Sequence, residues 1–277
     1  MIACPICGSK SSRYREIKDY IYFKCNKCCF IFLNSNQINV TLVEYTEPYW
    51  NSEIKASIER AKSSSLERFL ELLVLVPIPV LKFLDIGTGG GQLLEEITKI
   101  FGDSIELHGI ELYPPAEKFR TRHPGYVVGD LSEFETGNFD VITSIEVLEH
   151  LDSIQAKFMF IQISRLLNIG GLALINSGND KFVEMEDADY LDPVVRGHNQ
   201  IYSMDSIEEL IQDLPLKLLR RENSNWSFFL QKTGSHEIES ISLSLWNTHS
   251  YNKELLFKPF ENEILFMLGR ESLRTYL

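Results

Sequence analysis

The chain has 277 residues, of which 44% are hydrophobic and 24% charged, enough for one full α/β domain and a smaller unit beside it. Its 27 basic residues stand against 39 acidic ones, a net charge of −12. Such a surface repels phosphate backbones and argues against a nucleic-acid partner in the absence of a local basic patch.

The N-terminus, Met1-Ile2-Ala3-Cys4-Pro5, has no basic region ahead of an apolar core and does not read as a signal peptide. The most apolar stretch, Leu72 to Leu84, is broken by Pro77, Pro79 and Lys82 and is too short to span a bilayer. The expectation is a cytoplasmic protein without membrane association, in which cysteines serve as thiols or metal ligands rather than disulfides.

All five cysteines fall in the first thirty residues. Cys4-Pro5-Ile6-Cys7 and Cys25-Asn26-Lys27-Cys28 form two C-x-x-C knuckles with seventeen residues between them, a spacing suited to a four-cysteine zinc site. Four thiolates complete a tetrahedral shell, so this zinc is expected to be structural. Cys29 is read as a spare thiol. Residues 1–33 are therefore taken as a zinc ribbon, and the polar run Asn34–Asn39 begins a linker that reaches residue 79. Within it, apolar residues at three- and four-residue intervals predict one helix from Glu53 to Val76, ended by Pro77 and Pro79.

From residue 80 to 234, strand-like and helix-like stretches alternate. Strands are expected at Val80–Ile86, Ile105–Glu111, Tyr126–Val128, Phe139–Ser144 and Leu172–Asn176. Helices are expected at Gln92–Ile100, after Pro115, through Ile154–Leu167 and at Ile207–Leu214. An antiparallel pair, Leu216–Arg221 and Trp226–Gln231, closes the unit. This alternation predicts a mainly parallel sheet with helices on both faces. Residues 235–277 form an extension to which no role is assigned.

The glycine-rich turn after the first of these strands, Asp85-Ile86-Gly87-Thr88-Gly89-Gly90-Gly91, opens a helix, and Glu111 ends the next strand about twenty residues later. That spacing fits a nicotinamide site nearly as well as a sulfonium nucleoside site. Asp85, directly before the turn, favours the second, because a carboxylate there attracts a cationic amino-acid end and repels a pyrophosphate.

Several segments, in order, resemble the motifs of class I S-adenosylmethionine-dependent methyltransferases. They are Asp85–Gly91, Glu111, Gly129-Asp130-Leu131, Asn138–Ile142 with Glu146–His150, and Arg165–Gly171, where Ile169 replaces the usual proline. The resemblance spans roughly Val80 to Asn176 and implies a Rossmann-like seven-stranded sheet. It also implies a cofactor site made of Asp85, Gly87, Thr88, Gly89, Gly91, Glu111, Leu112, Asp130, Leu131 and Ile145. Tyr45, Tyr49 and Trp50 resemble the aromatic segment that closes over the cofactor in such enzymes.

Candidates for acid–base work are Glu146, His150 and His198. The segment Gly197-His198 with Ser203 and Leu210 resembles ubiquinone-biosynthesis-like methyltransferases. The acidic run Asp180–Pro193 reads as a solvated lid. The expected activity is methyl transfer to a hydroxyl of a small molecule, a sugar or nucleotide-linked sugar by analogy with zinc-ribbon methyltransferases of glycan pathways. The alternatives are an rRNA methyltransferase with a zinc ribbon and a non-catalytic cofactor-binding partner subunit.

Overall fold

A computed structural model describes residues 2–33, 47–134, 138–221 and 224–234. Its frame is a seven-stranded sheet built from β5 (Lys82–Ile86), β6 (Glu106–Glu111), β7 (Tyr126–Val128), β8 (Phe139–Ile145), β9 (Leu167–Asn176), β11 (Leu216–Arg220) and β12 (Ser227–Lys232). The strands lie in the order β7-β6-β5-β8-β9-β12-β11. The first five run parallel; β12 inserts antiparallel between β9 and β11. Strand order reverses between β5 and β8, so their C-terminal ends open the crevice in which doubly wound sheets bind ligands.

The central strands are covered on both sides, which is why β8 and β9 read as nearly continuous apolar runs. One face packs against α4 (Ser153–Leu166) and α6 (Met204–Ile211) through Phe160, Ile163 and Ile207. The other packs against α2 (Ser64–Leu75) and α3 (Gln92–Phe101) through Phe69, Leu70, Leu94 and Ile97. Local chemistry fixes the helix starts. Asp152 accepts from the N–H groups of Ile154 and Gln155 at 2.9 and 2.8 Å, and Gln155 accepts in return from the Asp152 N–H, a complete capping box ahead of α4.

The helix predicted at Glu53–Val76 is two helices, α1 (Glu47–Lys62) and α2, broken at Ser63. Three consecutive serines stand there, and the Ser63 hydroxyl bonds back to the Glu59 carbonyl at 2.8 Å, competing with the helical ladder. The break lets α1 pack on α3 while α2 turns onto β8 and β9.

The N-terminal cysteine unit is a second sheet of β1 (Ile2–Ala3), β2 (Lys10–Ile17), β3 (Tyr20–Cys25) and β4 (Ile31–Leu33). Its fifth strand comes from far away in the chain: β10 (Gln200–Ile201) pairs antiparallel with β4. Cys4, Cys25, Cys28, Phe30 and Phe32 join the same core as α4 and α6. The acidic run keeps Glu184, Glu186 and Asp189 in solvent, as expected, but it is an ordered segment packed on the domain. It folds as α5 (Asp180–Met185) and a 3-10 turn, Ala188–Tyr190, with Asp180 and Tyr190 buried. Lys18 and Lys24 of the ribbon pair with three of its carboxylates, Asp192, Asp180 and Glu184, partners distant in sequence. Among the described residues, no helix is long and apolar enough to cross a membrane.

Candidate active site

The glycine loop is tied down by its neighbours. The N–H groups of Gly87 and Thr88 donate to the Ile110 carbonyl at 2.9 and 3.1 Å, and the Tyr126 hydroxyl donates to the Gly89 carbonyl at 2.8 Å. Gly91 caps α3 with φ +79°, and a Cβ there would stand 2.3 Å from Thr121 Cγ2. Only glycine meets both demands.

Glu111 is buried at the end of β6. Its carboxylate accepts from the Gly89 N–H at 2.8 Å and the Tyr113 N–H at 3.0 Å. Burial raises its pKa, against the pull of those donors. Asp85 is fully enclosed and accepts from the Thr143 hydroxyl at 2.7 Å; loss of water pushes it up to about 6. Asp130 lies at the exposed end of β7, with its carboxylate held by the Ser132 N–H and hydroxyl at 2.7 and 2.5 Å. Leu131 is buried, Ile145 half-buried and Leu112 exposed at the mouth.

Trp50, on the first turn of α1, is buried over the loop. Its indole N–H donates to the Tyr113 carbonyl at 3.1 Å, and its ring lies 3.7 Å from where a Cβ on Gly89 would stand. Tyr49 packs edge-on against it and is pushed up to about 12, first by burial and then by the Glu53 carboxylate. Tyr45 lies outside the described residues.

Beyond the C-terminal ends of β8 and β9 a second set of polar groups converges. Glu149 is wholly buried; its Oε1 accepts from the Tyr190 hydroxyl at 2.9 Å and stands 3.8 Å from Nε2 of His198. Its Oε2 has no hydrogen-bond partner among the described residues. His198 is buried, with Nδ1 2.7 Å from the Tyr190 carbonyl. A carbonyl only accepts, so Nδ1 carries the proton and Nε2 keeps a free lone pair. Burial pushes this histidine down to about 4, with the Glu149 charge opposing. His150 is anchored in the same way, Nδ1 to the Gly197 carbonyl at 3.1 Å, and its ring lies 5.0 Å from that of His198.

Glu146 sits at positive φ (+57°) beside this group. Arg68 Nε–H donates to Asn176 Oδ1 at 3.1 Å, which turns the Asn176 amide so that its N–H₂ donates to Glu146 at 3.2 Å. Desolvation, then the nearby Glu149 charge, raises the Glu146 pKa well above the carboxylate range. The structure thus brings Glu146, His150 and His198 together and adds two side chains that motif reading passed over, Glu149 and Tyr190. Glu149 was visible inside the fourth-strand motif; Tyr190 carried no local signal. Asp140, in the same motif, is structural: it accepts from the N–H groups of Leu81 and Lys82 at 2.8 and 2.9 Å.

Among the described residues, two ligand sets could hold a metal ion. Glu149, His150 and His198 offer atoms within 4.8 Å of one another, as do the sulfurs of Cys4, Cys7, Cys25 and Cys28. In the latter, Cys4 and Cys28 sulfurs lie 3.7 Å apart and those of Cys7 and Cys25 3.5 Å. Tetrahedral bonds of about 2.3 Å to zinc would set sulfurs about 3.8 Å apart, so the cluster fits that ion. The Lys27 and Cys28 N–H groups each point at Cys25 Sγ from 3.4 Å.

A family model described as a methyltransferase domain matches residues 55–220. The chain belongs to this methyltransferase family. The strand order and the glycine loop of the sheet are those expected of its class I architecture. The ubiquinone biosynthesis O-methyltransferase of Nitrosococcus oceani is 34% identical over 80 residues, which span 25% of this chain and 33% of that protein. The matched stretch is thus about a third of that relative's length. Two solved structures share the fold. One is an O-methyltransferase family protein from Burkholderia thailandensis, with 15% identity and a TM-score of 0.50, covering 73% of this chain and 68% of that one. The other is the plantazolicin methyltransferase in complex with a desmethyl substrate analogue and S-adenosylhomocysteine. It has 17% identity and a TM-score of 0.50, and covers 69% of this chain and 89% of that one. The cysteine ribbon precedes the matched region.

Proposed function

We propose that the protein transfers a methyl group from S-adenosylmethionine to a hydroxyl of a small-molecule acceptor, a sugar or nucleotide-linked glycan precursor. When bound, the cofactor supplies an electrophilic methyl on a cationic sulfur. Glu111 would hold the ribose hydroxyls, Asp130 the adenine edge, and Asp85 with the glycine loop the amino-acid end, while Trp50 and Tyr49 cover the site. The observation that carries the reading is the pairing of the glycine cradle after β5 with the buried Glu149–His198–Tyr190 set beyond β8, on the two sides of the switch point.

His198 is the proposed base. Its low pKa keeps it neutral at neutral pH, and its proton on Nδ1 leaves Nε2 to take the acceptor's hydroxyl proton. The Glu149 charge 3.8 Å away stabilises the imidazolium as it forms. Desolvation and the Glu149 charge favour the protonated form of Glu146, which in that form can donate a hydrogen bond to an acceptor oxygen. The four cysteines are proposed to hold a structural zinc ion.

A second reading of the same histidines, a divalent cation that polarises the hydroxyl, draws on the unpartnered Glu149 Oε2 and on two imidazoles each anchored through Nδ1. Incubation with S-adenosylmethionine and a panel of sugars and nucleotide sugars, read by mass spectrometry, tests the proposal. A product heavier by one methylene group supports it, and stimulation by added Mg²⁺ or Mn²⁺ would select the cation reading. Turnover on ribosomal RNA but on no small molecule would overturn it.

A further inference from the structure

The strand β10 is only two residues long and has no place in the large sheet; it exists because β4 of the ribbon pairs with it, Gln200 opposite Phe32 and Ile201 opposite Ile31. Leu33 N–H continues the pairing to the Asn199 carbonyl at 3.2 Å. His198 is the next residue upstream.

Other contacts tie the same stretch to the ribbon. Tyr22 on β3, fully buried, donates its hydroxyl to the His198 carbonyl at 2.8 Å. Lys24 reaches Glu184 at 2.6 Å and Asp180 at 3.4 Å, and Lys18 reaches Asp192 at 2.8 Å. The Ser203 hydroxyl, which caps α6, donates to the Cys28 carbonyl in the second knuckle. Tyr22, Ile31 and Leu33 share one apolar cluster with Val183, Tyr190, Leu191 and Ile201. Exposed ion pairs contribute little by themselves; the shared core and the buried hydroxyl contribute more.

We infer that the cysteine ribbon is the outer wall of the acceptor pocket, with Tyr22 and Lys24 as positioning residues that hold His198 and Tyr190 against Glu149. The inference rests on the proposed role of those three groups. The ribbon's own thirty-odd residues bury too little apolar surface to order themselves; the cores they share with the larger domain and the metal together supply that order. Order in the ribbon is therefore order in residues 188–203. The glycine loop, by contrast, takes its hydrogen bonds from β6 and β7. Acceptor geometry depends on the ribbon; cofactor binding does not.

Hydrogen exchange read by mass spectrometry on the full chain tests this, comparing zinc-loaded protein with chelator-stripped protein. Peptides covering 188–203 are expected to exchange roughly tenfold faster or more after stripping, while those covering β5 and β8 keep their protection. S-adenosylhomocysteine affinity stays within about threefold. In zinc-loaded Tyr22→Phe protein, faster exchange is confined to the same peptides. Lys24→Met shows a smaller form of the exchange change, and Lys24→Arg restores protection.

Retained protection of 188–203 without metal would overturn the inference. So would protection lost evenly across both sheets, or a purified chain that holds no zinc. Failure of the zinc-loaded protein to bind S-adenosylhomocysteine would instead remove the methyltransferase reading and leave the exchange result standing.

Discussion

The two halves of the site are built in different ways. The proposed cofactor half is made mostly from residues 85–130, a strand–helix–strand–turn–strand run whose parts are neighbours in sequence and bond to one another through the backbone. Trp50 and Tyr49 of α1 are laid over it. The proposed acceptor half is assembled from four distant stretches: the ribbon, α2, the turn after β8, and residues 176–203. A half made by one local motif can lose a side chain without disturbing the other. A half made by long-range packing responds to changes far from the chemistry.

That contrast can be broken or sharpened by experiment. The largest expected effect is at the proposed base. His198→Gln is expected to lower kcat by about 10²- to 10⁴-fold with cofactor affinity unchanged, measured by steady-state kinetics beside calorimetry. An undiminished kcat would remove His198 from the chemistry. Next is Gly91→Val, which forces a β-branched side chain to φ +79° and into Thr121. Affinity for S-adenosylhomocysteine should fall on the order of 100-fold, while protection of 188–203 and zinc content stay as they were.

Trp50→Ala should cost about tenfold in the same affinity, because the indole that covers the loop is lost. A smaller effect, of opposite sign for stability and for binding, is expected at Asp85. Its folded pKa of about 6 lies above the ordinary 3.8, so its contribution to stability is full below 3.8 and is lost as pH rises through 6. Asp85→Asn should therefore be more stable than the parent chain at neutral pH, by on the order of 1–3 kcal/mol in unfolding free energy, with the difference shrinking in acid. Cofactor affinity should fall in the same variant. His198 has the reverse sign: its folded pKa of about 4 lies below 6.5, so its contribution is present above 6.5 and fades as pH drops through 4. Melting curves of His198→Gln and the parent chain should diverge across that window.

Legibility in the sequence follows the same division. Asp85, Gly87, Gly89, Gly91 and Glu111 were readable because a strand, a tight turn and a helix start impose residue types at fixed spacings. The cysteine knuckles were readable for the same reason. The parallel strands and most helices from Lys82 to Lys232 lie close to their expected positions, since buried parallel strands leave unbroken apolar runs. The helix expected after Pro115 is instead a 3-10 turn at Glu117–Phe119, and α5 was not expected. The break at Ser63 was written in three serines but hidden by an apolar period that continues through it. Tyr190, which bonds Glu149 from forty-one residues away, and β10, which pairs with β4 across the chain, have no local pattern at all. Nor could the inward packing of Asp180 and Tyr190 be recognised until Lys18 and Lys24 were seen beside the acidic run.

The central claim is that the turn after β5 holds a sulfonium nucleoside. Isothermal titration of the zinc-loaded chain with S-adenosylhomocysteine, and separately with NAD, tests it most directly. The account predicts saturable heat at a single site for the first, abolished in Glu111→Ala, and none for the second. Silence with the nucleoside alongside a clear NAD isotherm would contradict it.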